Sequence, residues 1–186
     1  MDRRKRKCRQ AIFDAFAALL VQKDYSKITV QDIIDRADVG RTTFYAHFET
    51  KDALLQALCE KLFGHIIQVP EDCPHTKGQD PNGETIHSVF LHILRHLQEN
   101  DDSIATLLAC DNNEHFLRYF KASLNDFIRQ EYGNSFKKFK DIPQDFLVNH
   151  ISGSFVEMVL WWLKNKEKYT TTELDYYFRS VIGPLL

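Results

Sequence analysis

The chain predicts an all-α fold of about nine helices, with a three-helix head to about residue 50 and a helical body over 51–186. Three observations carry that expectation. Apolar residues recur at helical spacing along nearly the whole sequence. Seven glycines and five prolines in 186 residues leave few turn signals. Two short helical patterns at 30–37 and 41–46, joined by a three-residue turn, have the outline of a helix-turn-helix. At 44% apolar and 27% charged the composition is that of an ordinary globular protein able to bury a real core.

The first helix starts within a basic run, because Cys8, Ile12, Ala15, Phe16, Leu19 and Leu20 repeat at helical spacing. Asp24 to Lys27 is a loop, and Ile28 plugs the small core. Thr29 followed by Asp32 offers a hydroxyl cap and an early carboxylate, so a second helix begins at Val30 and buries Val30, Ile33, Ile34 and Ala37. Asp38-Val39-Gly40 breaks that pattern with residues that tolerate turn geometry. The third helix, about Arg41 to Ala46, is divided: Phe44 and Phe48 are anchors, while Arg41, Thr42, Thr43, Tyr45 and His47 are polar donors and acceptors. A recognition helix needs that division, one face held rigidly and the other reaching base edges and phosphates.

Thr50 caps the next helix, with Asp52 at its positive end, and Leu54, Leu55, Leu58, Leu62 and Ile66 run one stripe from head into body. Gly64 loosens this shared lever. Val69 to Gly83 reads as the one long loop. Ile86, Val89, Phe90, Ile93, Leu94 and Leu97 stripe a further helix, ended by Asn100-Asp101-Asp102. A short helix around Ser103–Cys110 follows, then a longer one marked by Phe116, Phe120, Leu124, Phe127 and Ile128 that stops near Gly133. Pro143 suits the first turn of a helix bearing Phe146, Leu147, Ile151, Phe155, Val159 and Trp162, widened by Val156, Leu160, Trp161 and Leu163. The last helix has capping-box spacing at Thr170 and Glu173, and its stripe is Leu174, Tyr177, Phe178, Val181, Ile182 and Leu185.

The segment A-D-V-G-R-T-T-F-Y-A-H-F-E-T-K-D-A-L-L closely resembles the signature of TetR-type transcriptional regulators, A-G-V-S-x-x-T-F-Y-x-H-F-x-x-K-x-x-L. Thr43, Phe44, Tyr45, His47, Phe48, Lys51 and Leu54 fall in register; Asp38 and Gly40 stand where the signature has glycine and serine. The resemblance covers about the first 60 residues. It implies a homodimer that binds a double-stranded, roughly palindromic operator and acts as a repressor released by a small molecule. It also implies that Tyr45, His47 and Lys51 hold phosphates, with Thr29 helping. Arg41, Thr42 and Thr43 are the candidates for base edges.

Charge supports a DNA-facing end. Residues 1–51 hold 11 Lys/Arg against 7 Asp/Glu, and residues 52–186 hold 13 against 19. A basic head on an acidic body suits contact with nucleic acid at one end. Six cations stand in the first ten residues; Arg4 and Lys5 are the candidates there for backbone or minor-groove contact.

In the body, Phe90, Ile93, Leu94, Leu97, Phe116, Phe120, Phe127, Phe155 and Trp162 are either plain core or the lining of a cavity for a lipophilic or aromatic effector. Ile151, Val156, Val159, Trp161, Leu163, Leu174, Phe178, Val181 and Ile182 on the two last helices are the candidate dimer face, making a four-helix interface with a second copy. The apolar pattern alone also permits a larger monomeric core. His92 and His96 share a helical face, but His87 falls about 140° away, and Cys73, His75 and Cys110 have no metal-site spacing. No nucleophile elbow or Gly-rich phosphate loop occurs, so neither enzyme chemistry, a metal nor a cofactor is expected. A redox- or metal-sensing body, or control by a partner protein, remains the alternative. Scattered cysteines and no apolar run near the ~20 residues of a membrane span point to a cytoplasmic protein with no membrane partner.

Overall fold

Twenty residues, Arg3–Gln22, form α1, whose Ile12, Phe13, Phe16, Leu19 and Leu20 are buried against the rest of the head. The computed structural model describes residues 3–67, 76–79, 85–99, 107–109 and 114–186. Helix α2 is Val30–Ala37 and α3 is Arg41–Tyr45, followed by α4 over Lys51–Ile67. The body consists of α5 (Val89–Glu99), α6 (Glu114–Tyr132), α7 (Gln144–Leu163) and α8 (Thr171–Ile182). Residues 107–109 are also helical, with Leu107 and Leu108 buried.

Caps fall where the sequence places them. The Thr29 hydroxyl accepts from the Asp32 amide at 3.1 Å, and Asp32 Oδ2 accepts from the Thr29 amide at 2.8 Å. Thr170 and Glu173 repeat this reciprocal arrangement at the start of α8. Thr50 Oγ1 accepts from the Ala53 amide at 3.0 Å and starts α4. Each pair satisfies helix-end donors that no backbone carbonyl can reach. Pro143 stands one position before α7 rather than inside its first turn. Helix α6 ends at Tyr132; at the next residue, Gly133, an added Cβ would lie 2.4 Å from the Arg129 carbonyl oxygen.

Within the expected long loop, residues 77–79 form a strand. Lys77–Gln79 (β1) pairs antiparallel with Thr85–His87 (β2), Gly78 opposite Ile86. Ile86 therefore lies in a strand, and α5 starts three residues later than its stripe suggested. Three-residue strands are too short for a period-2 pattern to show, which is why composition alone read as loop. Cys73, His75, Cys110 and most of the expected 103–110 helix lie outside the described residues.

Helix α4 is the structural spine. Leu54, Leu55 and Leu58 are buried with the α1 core, and farther along Phe63 meets Phe116 and Phe120 of α6 at ring separations of 5.0 and 4.8 Å. One hydrophobic cluster consequently runs from Ile12 in the head to Ile182 in the last helix. Helix α7 is by length and composition apolar enough to cross a membrane, yet Leu147, Ile151, Phe155, Val159 and Trp162 are buried in this cluster. Its apolar girth is covered by neighbours on one side only: Phe146 is 59% exposed and Trp161 45%.

A buried polar link ties the start of α5 to α8. Asp175, with no exposed surface, accepts a hydrogen bond from Ser88 and is paired with Arg179 at 2.7 Å. Ser88 also accepts from the Leu91 amide at 3.2 Å, so the same hydroxyl caps α5. A buried carboxylate requires such partners.

Candidate nucleic-acid interface

The head presents a short helix pinned from behind. Phe44 is fully buried and Phe48 nearly so, their rings 6.1 Å apart, and Phe48 meets Phe13 of α1 at 5.4 Å. With those anchors inside, Arg41, Thr42 and Tyr45 stand exposed, and Thr43 and His47 are half-buried. Tyr45 packs edge-on against Phe44 at 5.4 Å, which orients its exposed ring. The turn before α3 closes because Asp38 adopts φ 51°, ψ 48°, the left-handed region where its short polar side chain is tolerated. Gly40 takes the N-cap position of α3 without a side-chain cap.

Basic side chains frame this surface. Arg4 and Lys5 are exposed on the first turns of α1. Arg9 lies over the rings of Phe13 and Phe48, at 5.4 and 5.5 Å from their centroids. Burial and the charges of Arg9 and Lys5 lower the His47 pKa from its ordinary 6.5. The lowered value favours the neutral imidazole near pH 7 in the chain without DNA. Because its folded value lies below the unfolded one, stability falls as pH drops through 6.5. Phosphate oxygens would favour the imidazolium, so duplex binding should take up a proton and strengthen as pH falls toward 6. An NMR titration of the His47 ring with and without duplex measures both values; an upward shift on binding is the expected outcome.

Two of the residues that the resemblance assigns to phosphate, Lys51 and Thr29, have partners within the chain. Lys51 Nζ donates to the carbonyls of Tyr25 and Ile28, both at 2.7 Å, and lies 4.1 Å from the centroid of the Tyr25 ring. Burial lowers its pKa. Lys51 is thus a strut between the α1–α2 connection and the start of α4 in the chain without DNA. Thr29 has its hydroxyl proton and its amide directed at Asp32 Oδ2, so neither is available to a phosphate. The amide bond from Thr29, then the Lys23 ammonium, hold the Asp32 carboxyl down to about 2. Replacing Lys51 by methionine keeps the stem and removes the donors; the Tyr25 carbonyl keeps the Ile28 amide at 3.2 Å, while the Ile28 carbonyl loses its partner in a half-buried seam. The expected loss is about 1–3 kcal/mol of stability without DNA. A calorimetric midpoint unchanged from the parent chain would contradict the strut.

Sequence reasoning missed the seam that this strut belongs to. Tyr25 is 7% exposed, donates its hydroxyl to Asp52 at the start of α4, and its ring meets His115 of α6 at 4.6 Å. Burial first, then Asp52, push the Tyr25 pKa well up. Arg118 in turn reaches His115 Nδ1 at 3.2 Å. Tyr25 thereby joins head, spine and body. No local signal marks it, since its partners lie 27 and 90 residues away.

The nine candidate effector-lining residues come together inside the body. All are buried in the shared cluster, and Phe90 meets Phe155 at 5.1 Å and Phe178 at 4.7 Å. The candidate dimer residues separate into two groups. Ile151, Val156, Val159, Leu174, Phe178 and Ile182 are buried within the single chain and have no surface to offer a second copy. Trp161 and Val181, 45% and 75% exposed, and the half-buried Leu163 remain. The structure adds Phe146 and Tyr177, 59% and 42% exposed, as apolar surface on the same two helices. His92 and His96 bring their rings to 4.4 Å, but among the described residues no group of three or more potential ligands assembles.

An exposed polar recognition helix, braced by a second helix across a tight turn and backed by a basic α1, defines a helix-turn-helix DNA-binding regulator. Residues 12–58 match the family described as "Bacterial regulatory proteins, tetR family", and residues 84–182 match "Transcriptional regulator C-terminal region". The chain belongs to the TetR family of transcriptional regulators. A TetR transcriptional regulator from Streptococcus agalactiae 2603V superposes with TM-score 0.71 at 39% identity, over 97% of this chain and 96% of that one. The dhaKLM operon transcriptional activator DhaS of Lactococcus lactis subsp. lactis is 27% identical over 141 residues, 75% of this chain and 70% of its own length. The uncharacterised regulator YxbF of Bacillus subtilis is 38% identical over 68 residues; that match spans 36% of this chain and 18% of YxbF.

Proposed function

We propose that this chain acts in the cytoplasm as a homodimeric repressor that places two copies of α3 in successive major grooves of a palindromic operator. On this reading residues 1–50 are the DNA-binding unit and 51–186 the effector and dimerisation unit. The observation that carries it is the division of α3, Phe44 inside and Arg41, Thr42 and Tyr45 outside. Arg41, Thr42 and Thr43 read base edges; Tyr45, His47, Arg4 and Lys5 hold phosphates. A small, largely apolar effector enters the body by parting the aromatic cluster around Phe90, Phe120 and Phe155. It disturbs α4 through the Phe63 contacts with α6. Release requires that the effector favour the non-binding arrangement; a coupling of ~1–3 kcal/mol weakens operator binding about 5- to 150-fold.

Selection of bound duplexes from a random pool tests the reading, followed by a screen for small apolar compounds that release the winner. Against that winner, Arg41→Ala should cost roughly 1–3 kcal/mol and relax specificity at one base pair per half-site. Binding profiles across single-base variants check this. An even loss at every position would assign Arg41 to the backbone instead.

A second reading has one observation in its favour. DhaS, similar over three quarters of this chain, is by name an activator. The DNA-reading half is the same under both, and a promoter fusion with and without the chain separates repression from activation.

A further inference from the structure

Between α1 and α4 lies a groove of about 410 Å³. Phe13, buried, and Ala57, half-buried, give it an apolar wall. Arg6, Arg9 and Lys61 surround that wall, with Glu60 as the single carboxylate among the lining residues. Lys61 donates to Gln10 Oε1 at 2.7 Å and sits 5.2 Å from the Phe13 ring centroid, so it leans into the groove. Arg9 Nε is buried and has no hydrogen-bond partner among the described residues.

Three like charges gathered on one wall repel one another, and a buried guanidinium N–H without an acceptor is an unfavourable arrangement. An oxyanion in the groove relieves the repulsion, since charge-assisted hydrogen bonds from the exposed Arg6 and Lys61 to a carboxylate or phosphate are the strong ones. The aromatic wall supplies what an ion alone does not need, a surface for an apolar group, and the volume lies in the range of small-molecule sites. We infer that this groove binds an organic oxyanion, a carboxylate or phosphate ester carrying a small aromatic or apolar body, at a site separate from the aromatic core of the body. Lys61 lies ten residues into α4, about 15 Å along its axis from Lys51, which places the groove beside the neck of the molecule. A ligand there bridges the basic end of α1 to the spine helix.

The test titrates the full chain with phenyl phosphate and with benzoate, using benzyl alcohol as the uncharged control, by calorimetry and thermal shift. At least one anion should bind and raise the midpoint while benzyl alcohol does neither; which anion binds more tightly distinguishes a phosphate from a carboxylate ligand. Arg6→Gln with Lys61→Gln removes two of the three cations and should weaken binding roughly tenfold or more, with circular dichroism of the unliganded double variant showing that the fold is kept. Glu60→Gln should tighten it. The inference is overturned if neither anion binds, if benzyl alcohol binds equally, or if the double variant binds unchanged. It is also overturned if operator duplex displaces phenyl phosphate and the double variant shallows the salt dependence of DNA binding, because the groove is then a seat for DNA backbone.

Discussion

Phe44→Ala should remove DNA binding by undoing the head. Phe44 has no exposed surface and holds α3 against Phe48 and the α1 core. Truncating a buried phenylalanine costs about 3–5 kcal/mol, a large share of the ~5–15 kcal/mol that holds a domain together. Helix α3 is only five residues long and cannot persist without its anchor. Circular dichroism should show reduced helix content with the body still folded, and duplex binding should vanish even at low salt. Full binding with a lowered midpoint would mean that α3 is held by its turn and by Phe48 alone.

Trp161→Glu combined with Val181→Glu should yield a monomer. Both side chains are exposed on the outer faces of α7 and α8, alongside Phe146 and Tyr177. An isologous pairing sets each patch against its own copy, so added carboxylates repel across the two-fold axis. Sedimentation velocity should show the monomer mass for the variant and twice that for the parent. Losing the linkage between two heads should cost roughly 10²–10⁴ in operator affinity, with each head still making its own contacts. A variant that stays dimeric would place the interface elsewhere.

How much was legible follows from the range of each signal. Capping boxes at Thr29–Asp32 and Thr170–Glu173 are local, and both stand as their spacing implied. Phe44 and Phe48 were readable as anchors because helix period and motif agree. The strut role of Lys51 had no local signal, because its partners, the carbonyls of Tyr25 and Ile28, lie 26 and 23 residues away. The α7 face was half-read for a different reason. A helix apolar around its girth shows that both sides want cover, but not which side the chain's own neighbours take. Packing against α6 and α8 claims Ile151, Phe155 and Val159 and leaves Trp161 outside. The Tyr25–His115 contact had no local signal at all.

The most direct measurement of the central claim is a hydroxyl-radical footprint of the chain on its selected duplex, paired with the binding stoichiometry. Two α3 helices related by a two-fold axis predict two protected patches on one face of the duplex, about 34–36 Å apart, over an inverted repeat. Two chains should bind per site. A single asymmetric patch, or one chain per site at full affinity, would contradict the paired recognition helices on which the account rests.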